Sequence, residues 1–343
     1  MRVHYHELSV DLTGIERSAR TVERLGFDGY ATREFRSDPM LQLVLAAKAT
    51  KNVTLETRIM LAYPRSPMVV AYQAWALQAF SGGRLRLGLG SSARPQIEGR
   101  FAANWYPSGR GLRDYMAALQ AIWTAWERDE HPAVEGEFFA ISSHNDEFKP
   151  APIGLPAPEL ALAATGPVMC RTAGEIANYL LLPILNSPKF IREKSIPAMR
   201  AGARQVGRDP AGIQVTSSAI VYSAKNRENY LVARERARRE VAFFVCYSDI
   251  YTSVLEVHGW QDKHRYLRGR ANDGESVDVL FREIDDEMLD AFAVVGVGDE
   301  IGPLLRDRYE GILDEVVFAL RPVGLNKRDQ ELVLAKSVEA LHR

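Results

Sequence analysis

The sequence predicts an α/β fold, a (β/α)8 barrel with an extended insertion between strands 7 and 8, and three observations predict it. Short β-forming segments alternate with helical ones from the first residues onward. The repeat in the first third runs to about 25–30 residues, the length of a strand–helix–strand unit. Eight strands can be counted without assuming a number, and eight parallel strands covered by helices close naturally into a ring. At 343 residues the chain is long enough for such a barrel to form one domain spanning 1–343.

The elements follow in order. Residues 3–10 are rich in β-formers. Leu12, Ile15, Ala19, Val22 and Leu25 then fall at helical spacing behind Thr13-Gly14-Ile15-Glu16, a capping-box signature, with Gly26 as the stop. Residues 28–32 form strand 2, and Asp38-Pro39 opens a helix through Thr50, Asp as the cap and Pro at the first position. Strand 3 covers 53–62. Ser66-Pro67 starts a helix that Gly82-Gly83 ends, and strand 4 covers 84–90. Leu112, Met116, Leu119, Ile122, Trp123 and Trp126 make the apolar stripe of the next helix. An excursion over 131–158 follows. Strands 5 to 8 are then placed at 159–164, 179–182, 214–222 and 314–320.

About ninety residues separate the last two strands, too many for a plain connection. This 224–313 region contains a helical stretch over 228–245 and a polar stretch over 259–276. It reads either as extra helices with a solvated loop or as a lid over the barrel mouth.

Composition narrows the function. Lys+Arg 43 against Asp+Glu 44 gives a net charge of −1, which removes the basic surplus that phosphate-backbone binding needs. No nucleic acid and no membrane are therefore expected as partners. No segment approaches a membrane span, and the first residues lack the apolar centre of a signal peptide, so a cytoplasmic location is expected. Cys170 and Cys246 both sit in apolar-patterned segments and are expected to be buried, unreactive thiols.

In a barrel of this kind the reactive groups come from the carboxyl ends of the strands. Here those ends hold few acids or bases, and no Ser/His/Asp set, no HExxH and no paired carboxylates. His4 and His6 share a strand face, which could bind a metal or simply serve the core; no metal site is expected. So poor a set implies that an organic cofactor carries the reaction. Ala164-Thr165-Gly166-Pro167-Val168 leads from a strand end into a helix, where free amides attract an anion. Gly88-Leu89-Gly90-Ser91-Ser92 is a second glycine-permissive strand end. Either could also be only a tight turn, and no dinucleotide fingerprint follows the first strand.

The combination resembles a known family. Ser66-Pro67 with Gln73 and Ala74, then Ser81-Gly82-Gly83-Arg84-Leu85-Arg86-Leu87-Gly88-Leu89-Gly90, is similar to the hallmark stretch of the bacterial luciferase-like monooxygenase superfamily of flavin- and F420-dependent barrels. Leu25-Gly26-Phe27-Asp28-Gly29, Glu135-Gly136-Glu137-Phe138-Phe139, Ala163-Ala164-Thr165-Gly166-Pro167 and Gly311-Ile312-Leu313-Asp314-Glu315 fall in the superfamily's order. The layout most resembles the F420-dependent oxidoreductase branch. The resemblance implies a non-prolyl cis peptide within Thr57-Arg58-Ile59, behind the deazaflavin ring. It implies that Ser91 and Ser92 touch the cofactor and that Ala164, Thr165, Gly166, Pro167 and Val168 bind its phosphate. It also implies a homodimer. Arg65 and Arg94 are candidates for holding substrate.

Departures from the family pattern shape the chemistry. Where F420 dehydrogenases often carry Asp-His at the end of strand 2, Arg33-Glu34 stands here, and Ser91-Ser92-Ala93-Arg94 replaces an acid after strand 4. Alcohol oxidation needs a base, for which Glu34 is the only nearby candidate, with Arg33 or Arg94 balancing charge. Reduction or oxygen activation needs less from the protein. The expectation is thus an oxidoreductase passing a hydride between coenzyme F420 and a small organic substrate, of reductase or monooxygenase type. The alternatives are an FMN-dependent monooxygenase served by a separate reductase, and a non-catalytic barrel that binds a flavin-like ligand.

Overall fold

The computed structural model describes residues 1–143 and 145–343. Its sheet is a closed ring of eight parallel strands: β1 (Arg2–His6), β2 (Gly29–Thr32), β3 (Thr54–Thr57), β4 (Leu85–Gly90), β5 (Glu159–Ala163), β6 (Tyr179–Leu182), β7 (Gln214–Ala224) and β8 (Glu315–Val323). Each pairs with the next, and β8 returns to β1 with Arg2 opposite Glu315 and His4 opposite Val317. The expected order and number of strands are those observed.

Local signals set the helix starts. Asp38 accepts the Met40 amide ahead of helix Pro39–Ala49, and Ser66 accepts the Val69 amide ahead of helix Pro67–Ser81. Gly82 then takes φ 69°, a left-handed stop that costs glycine nothing. The first helix is preceded by a short 3-10 turn, Leu12–Gly14, capped by Asp11, so the helix proper is Ile15–Arg24. Strand 3 is shorter than its expected 53–62. It stops at Thr57, passes through a cis peptide between Arg58 and Ile59, and resumes only as Met60–Leu61 beside β4. The 131–158 excursion, of which residue 144 lies outside the described residues, contains a two-stranded hairpin, Val134–Glu135 with Ala140–Ile141.

The 224–313 insertion is mostly helical. Helix Arg227–Tyr247 carries it, and the stretch expected as a polar loop is helix Gln261–Asn272, which buries His264 and Leu267 against its neighbours. Charged side chains dominate that helix, and only a narrow apolar edge faces inward, so the sequence pattern resembled a loop. Short strand Ala293–Val297 pairs with Ile220–Ala224 of β7, whose first residues pair with β6 instead. The insertion therefore takes over the β7 edge where β6 has ended. A second apolar cluster, with Leu185, Phe190, Ile220, Val241 and Met288, joins the insertion to the upper part of β7.

The larger apolar core lies between the strands and their covering helices. The lower barrel interior is ionic instead. His4, Glu56, Arg58, Arg86 and Glu315 meet there with Thr216 and Ser218. Arg86 reaches Glu315 at 2.6 Å and packs its guanidinium 3.6 Å from the Tyr179 ring centroid. His4 lies between both carboxylates, 3.2 Å from Glu56 and 3.4 Å from Glu315. Gly29 faces His4 in register, and a Cβ there would sit 2.5 Å from the imidazole, so the ring needs glycine beside it. Removing one member of such a buried set strands its partner's charge. Arg86→Met is expected to cost about 3–5 kcal/mol of folding stability, measured by urea unfolding; a loss under about 1 kcal/mol would show that the network is not holding the interior together.

Candidate active site

The barrel mouth is built on the bulge after β3. Thr57 Oγ1 donates to the Gly88 carbonyl at 2.8 Å and accepts the Gly88 amide at 2.9 Å, pinning the bulge to β4. A Cβ at Gly88 would stand 2.1 Å from the Thr57 carbonyl oxygen, and one at Gly90 would stand 2.2 Å from Ile59 Cδ1. The Gly-Leu-Gly of β4 thus makes room for the bulge. From the other side, the Arg58 amide donates to Thr32 O and the Glu34 amide to Ile59 O.

Arg58 extends the bulge down into the ionic interior. Its guanidinium donates to Glu56 at 2.9 Å, to Ser218 at 3.0 Å and to Thr216 at 3.1 Å. Glu56 is fully buried, which favours its neutral form. The neighbouring Arg58, a hydrogen bond from His4, and Arg86 outweigh that and hold its carboxyl well below the usual carboxylate range. The floor of the mouth therefore rests on a fixed charge network rather than on apolar packing. Above it Ala31, Gly88, Gly90, Ala161, Ala163 and Ala319 turn inward at period two along their strands, and Ile59 of the bulge packs with Leu181 against Ala161 and Ala163.

Glu34 and Arg65, expected as proton-exchanging and substrate-holding groups, are engaged with each other. Arg65 donates to both Glu34 oxygens at 3.0 Å and to Asp38 at 2.9 Å, while Glu34 also accepts the Leu61 amide at 2.8 Å. Burial pulls the guanidinium pKa down, but the bonds to Glu34 and Asp38 leave it raised. Glu34 thus clamps the residues following the bulge. Arg94 lies on the exposed first turn of helix Arg94–Phe101, paired with Glu98 at 2.8 Å. Arg33 remains half-buried at the end of β2, its guanidinium 4.9 Å from the Phe35 ring.

The turn expected to hold an anion is an uncapped helix start. Helix Pro167–Ile176 begins at Gly166 with no side-chain cap, and a Cβ at Gly166 would meet nothing within 4 Å. Helix Ser108–Glu127, also uncapped, starts beside it: a Cβ on Gly109 would touch Thr172 and Val168 at 3.2 and 3.3 Å. Ser91 donates to Ser108 at 3.0 Å, and Ser92 takes φ 55°. Ala164 is buried, while Thr165 through Val168 come to the surface. Ser91 and the Thr165–Val168 turn are so brought together. Ser108 was not anticipated, because a Ser-Gly pair opening a helix is indistinguishable from a loop in sequence.

Sequence reasoning also missed the upper rim. His6, Arg321, Tyr222 and Glu240 meet there; Arg321 donates to Glu240 at 2.5 Å and Tyr222 to the same carboxylate at 2.9 Å. Glu240 comes from the insertion. The cysteines are buried, and burial pushes the Cys246 thiol up to about 11. His4, Glu56 and Glu315 place their possible ligand atoms within 4.8 Å of one another, yet both carboxylates already pair with arginine.

Comparison with known proteins agrees with this architecture. Residues 2–315 match the family model of the luciferase-like monooxygenases. The chain belongs to that family. It is an oxidoreductase, and its relatives include an uncharacterized protein of Mycobacterium tuberculosis, 40% identical over 300 residues and covering 88% of each chain. A 5,10-methylenetetrahydromethanopterin reductase of Methanolobus tindarius is 24% identical over 327 residues, covering 94% of this chain and 95% of that one. The solved coenzyme F420-dependent tetrahydromethanopterin reductase of Methanopyrus kandleri superposes with a TM-score of 0.77 at 22% identity, covering 98% and 97%. Among the described residues of this luciferase-like chain, no helix is long and apolar enough to cross a membrane.

His6 supplies a pH test of the rim. Burial, then the charges of Arg33, Arg58 and Arg321, push its imidazole down to about 3 from an ordinary value near 6.5. Between these values the unfolded chain binds a proton that the folded chain refuses, so stability is complete above about pH 6.5 and declines toward pH 3. His6→Asn is expected to flatten that slope in chemical unfolding series. An unchanged slope would mean that the imidazole takes up its proton in the folded protein.

Proposed function

We propose that this luciferase-like protein is an F420-dependent oxidoreductase, transferring a hydride between coenzyme F420 and a small organic substrate as a reductase or monooxygenase. One observation carries the reading: a bulge braced on Gly88 and Gly90 floors a mouth whose rim ends in two adjoining, uncapped helix starts. That pairing suits a flat ring with a phosphate-bearing tail. The reductase relatives favour F420 over FMN.

When bound, the coenzyme supplies the hydride chemistry that the side chains lack. The protein's own residues bind and orient. Thr57, Arg58 and Ile59 back the ring plane. Ser91 and Ser92, with the amides of Thr165, Gly166 and Val168, receive the tail; Ala164 and Pro167 fix the turn. Glu34, with both oxygens occupied by Arg65, acts through position by holding Leu61 and the bulge. Arg33 remains to meet substrate charge.

Equilibrium titration with F420 and with FMN, followed by absorbance, tests the reading. Saturable F420 binding that exceeds FMN binding is expected, along with hydride exchange from reduced F420. Preference for FMN would instead indicate a two-component monooxygenase, and binding of either without exchange a ligand-binding barrel. Gly166→Asp places a carboxylate in open space at the anion-binding turn, so it should leave folding intact while raising the coenzyme's Kd at least about tenfold. An unaltered Kd would remove that turn from the site.

A homodimer is part of the proposal. Leu41, Val44 and Phe80 lie exposed along one groove between helices Pro39–Ala49 and Pro67–Ser81. Contiguous exposed apolar surface of this kind favours association. Light scattering after gel filtration should report a dimer for the native chain and a monomer for the Leu41→Glu/Phe80→Glu double variant.

A further inference from the structure

The rim of the mouth holds more positive charge than the protein itself neutralises. Strands β8, β1 and β2 are neighbours, and their period-two alternation turns Arg321, His6 and Arg33 toward the same opening. Arg321 is matched by Glu240, which Tyr222 also occupies. Arg58 is matched by Glu56. Glu34, the acid adjacent to Arg33 in sequence, is spent on Arg65. Among the described residues no carboxylate stands within ion-pairing distance of Arg33, although the guanidinium is half-buried. His6 is 8% exposed, and its Nε2 is buried without a hydrogen-bond partner.

The Arg33 guanidinium lies half-buried near the charge of Arg321, with the Phe35 ring 4.9 Å away, and it is poised to pair with an arriving anion. Burial and then the charge of Arg321 pull the Arg33 pKa down, and the more distant Glu240 carboxylate offsets only part of this. An oxyanion would pair with the planar fork of Arg33 in charge-assisted hydrogen bonds and give the orphaned imidazole nitrogen a partner. Arg94 cannot share the task, being exposed and paired with Glu98.

We propose that Arg33, Arg321 and His6 form a subsite for an anionic group of the substrate, so that the substrate class is organic acids and their carboxylate-bearing relatives. This deepens the oxidoreductase reading and rests on it for the word substrate, while the subsite itself is a property of the chain alone. The same cations could instead serve the electron-rich ring of a reduced coenzyme, and the experiment separates these sources.

Calorimetric titration of the full chain, without coenzyme and again with saturating F420, would use benzoate as probe and benzamide as its neutral isostere. The native chain should prefer benzoate at least about tenfold, and Arg33→Gln should abolish that preference. Arg33→Lys should retain part of it. Glu240→Gln should tighten benzoate binding by freeing Arg321, a gain that damaged folding would not produce. Equal affinity for the two probes, or benzoate binding unaltered in Arg33→Gln, would overturn the proposal. So would an Arg33→Gln variant that loses F420 affinity while keeping benzoate, since the charge would then belong to the coenzyme. Should F420 and FMN both fail to bind while coenzyme-free protein still prefers benzoate, the coenzyme reading falls and the anion subsite stands.

Discussion

Arg58 ties the floor of the mouth to the charged interior of the barrel, and the site depends on that tie. Its backbone lies in the bulge, whereas its guanidinium is fixed by Glu56, Thr216 and Ser218. Glu56 is shared with His4, which also faces Glu315, and Glu315 is held by Arg86. Five strands of the ring so contribute to one network. Apolar side chains of similar volume could fill the same space and be as stable. They would not give a backbone segment one fixed height and direction, as directional bonds to a charged fork do.

The glycines on β4 complete that constraint from the other side. A side chain at Gly88 would collide with the Thr57 carbonyl and one at Gly90 with Ile59, so the bulge can lie flat only over this strand. The Gly-x-Gly pattern looked in sequence like a ligand-binding turn. Its structural task is to receive the bulge, and the ligand-facing part begins afterwards at Ser91. The hairpin of 131–158 and the aromatic cluster of Tyr63, Tyr106, Phe138 and Phe139 close the same flank.

The ring of strands was legible because its signals are local. Caps such as Asp38 and Ser66, stops such as Gly82, and short β-forming runs act within a few residues of where they stand. The interior network was not legible, since Arg86 and Glu315 lie 229 residues apart and meet only when the ring closes. The same holds for Arg65 and Glu34, 31 residues apart, whose pairing gave Glu34 a clamping task. The cis peptide was anticipated only through family resemblance, as nothing in Thr57-Arg58-Ile59 itself demands it. Helix Gln261–Asn272 was hidden by its charge, its apolar edge being too narrow to show a helical stripe.

Read together, these placements divide the barrel by height. Low in the ring, Arg58 and Arg86 answer Glu56 and Glu315 charge for charge, with His4 between the two acids, so the plug is built to stay put. At the rim the acids are few and already committed, Glu34 to Arg65 and Glu240 to Arg321 and Tyr222. Proton transfer by a free carboxylate therefore has little to work with at the rim, whereas electrostatic holding of an anion has Arg33 to spare. A site so arranged contributes mostly by binding and orienting, which is the division of labour expected when the electron chemistry belongs to a coenzyme. The insertion joins in by sending Glu240 to the rim, where it sets how much of the Arg321 charge the mouth can use.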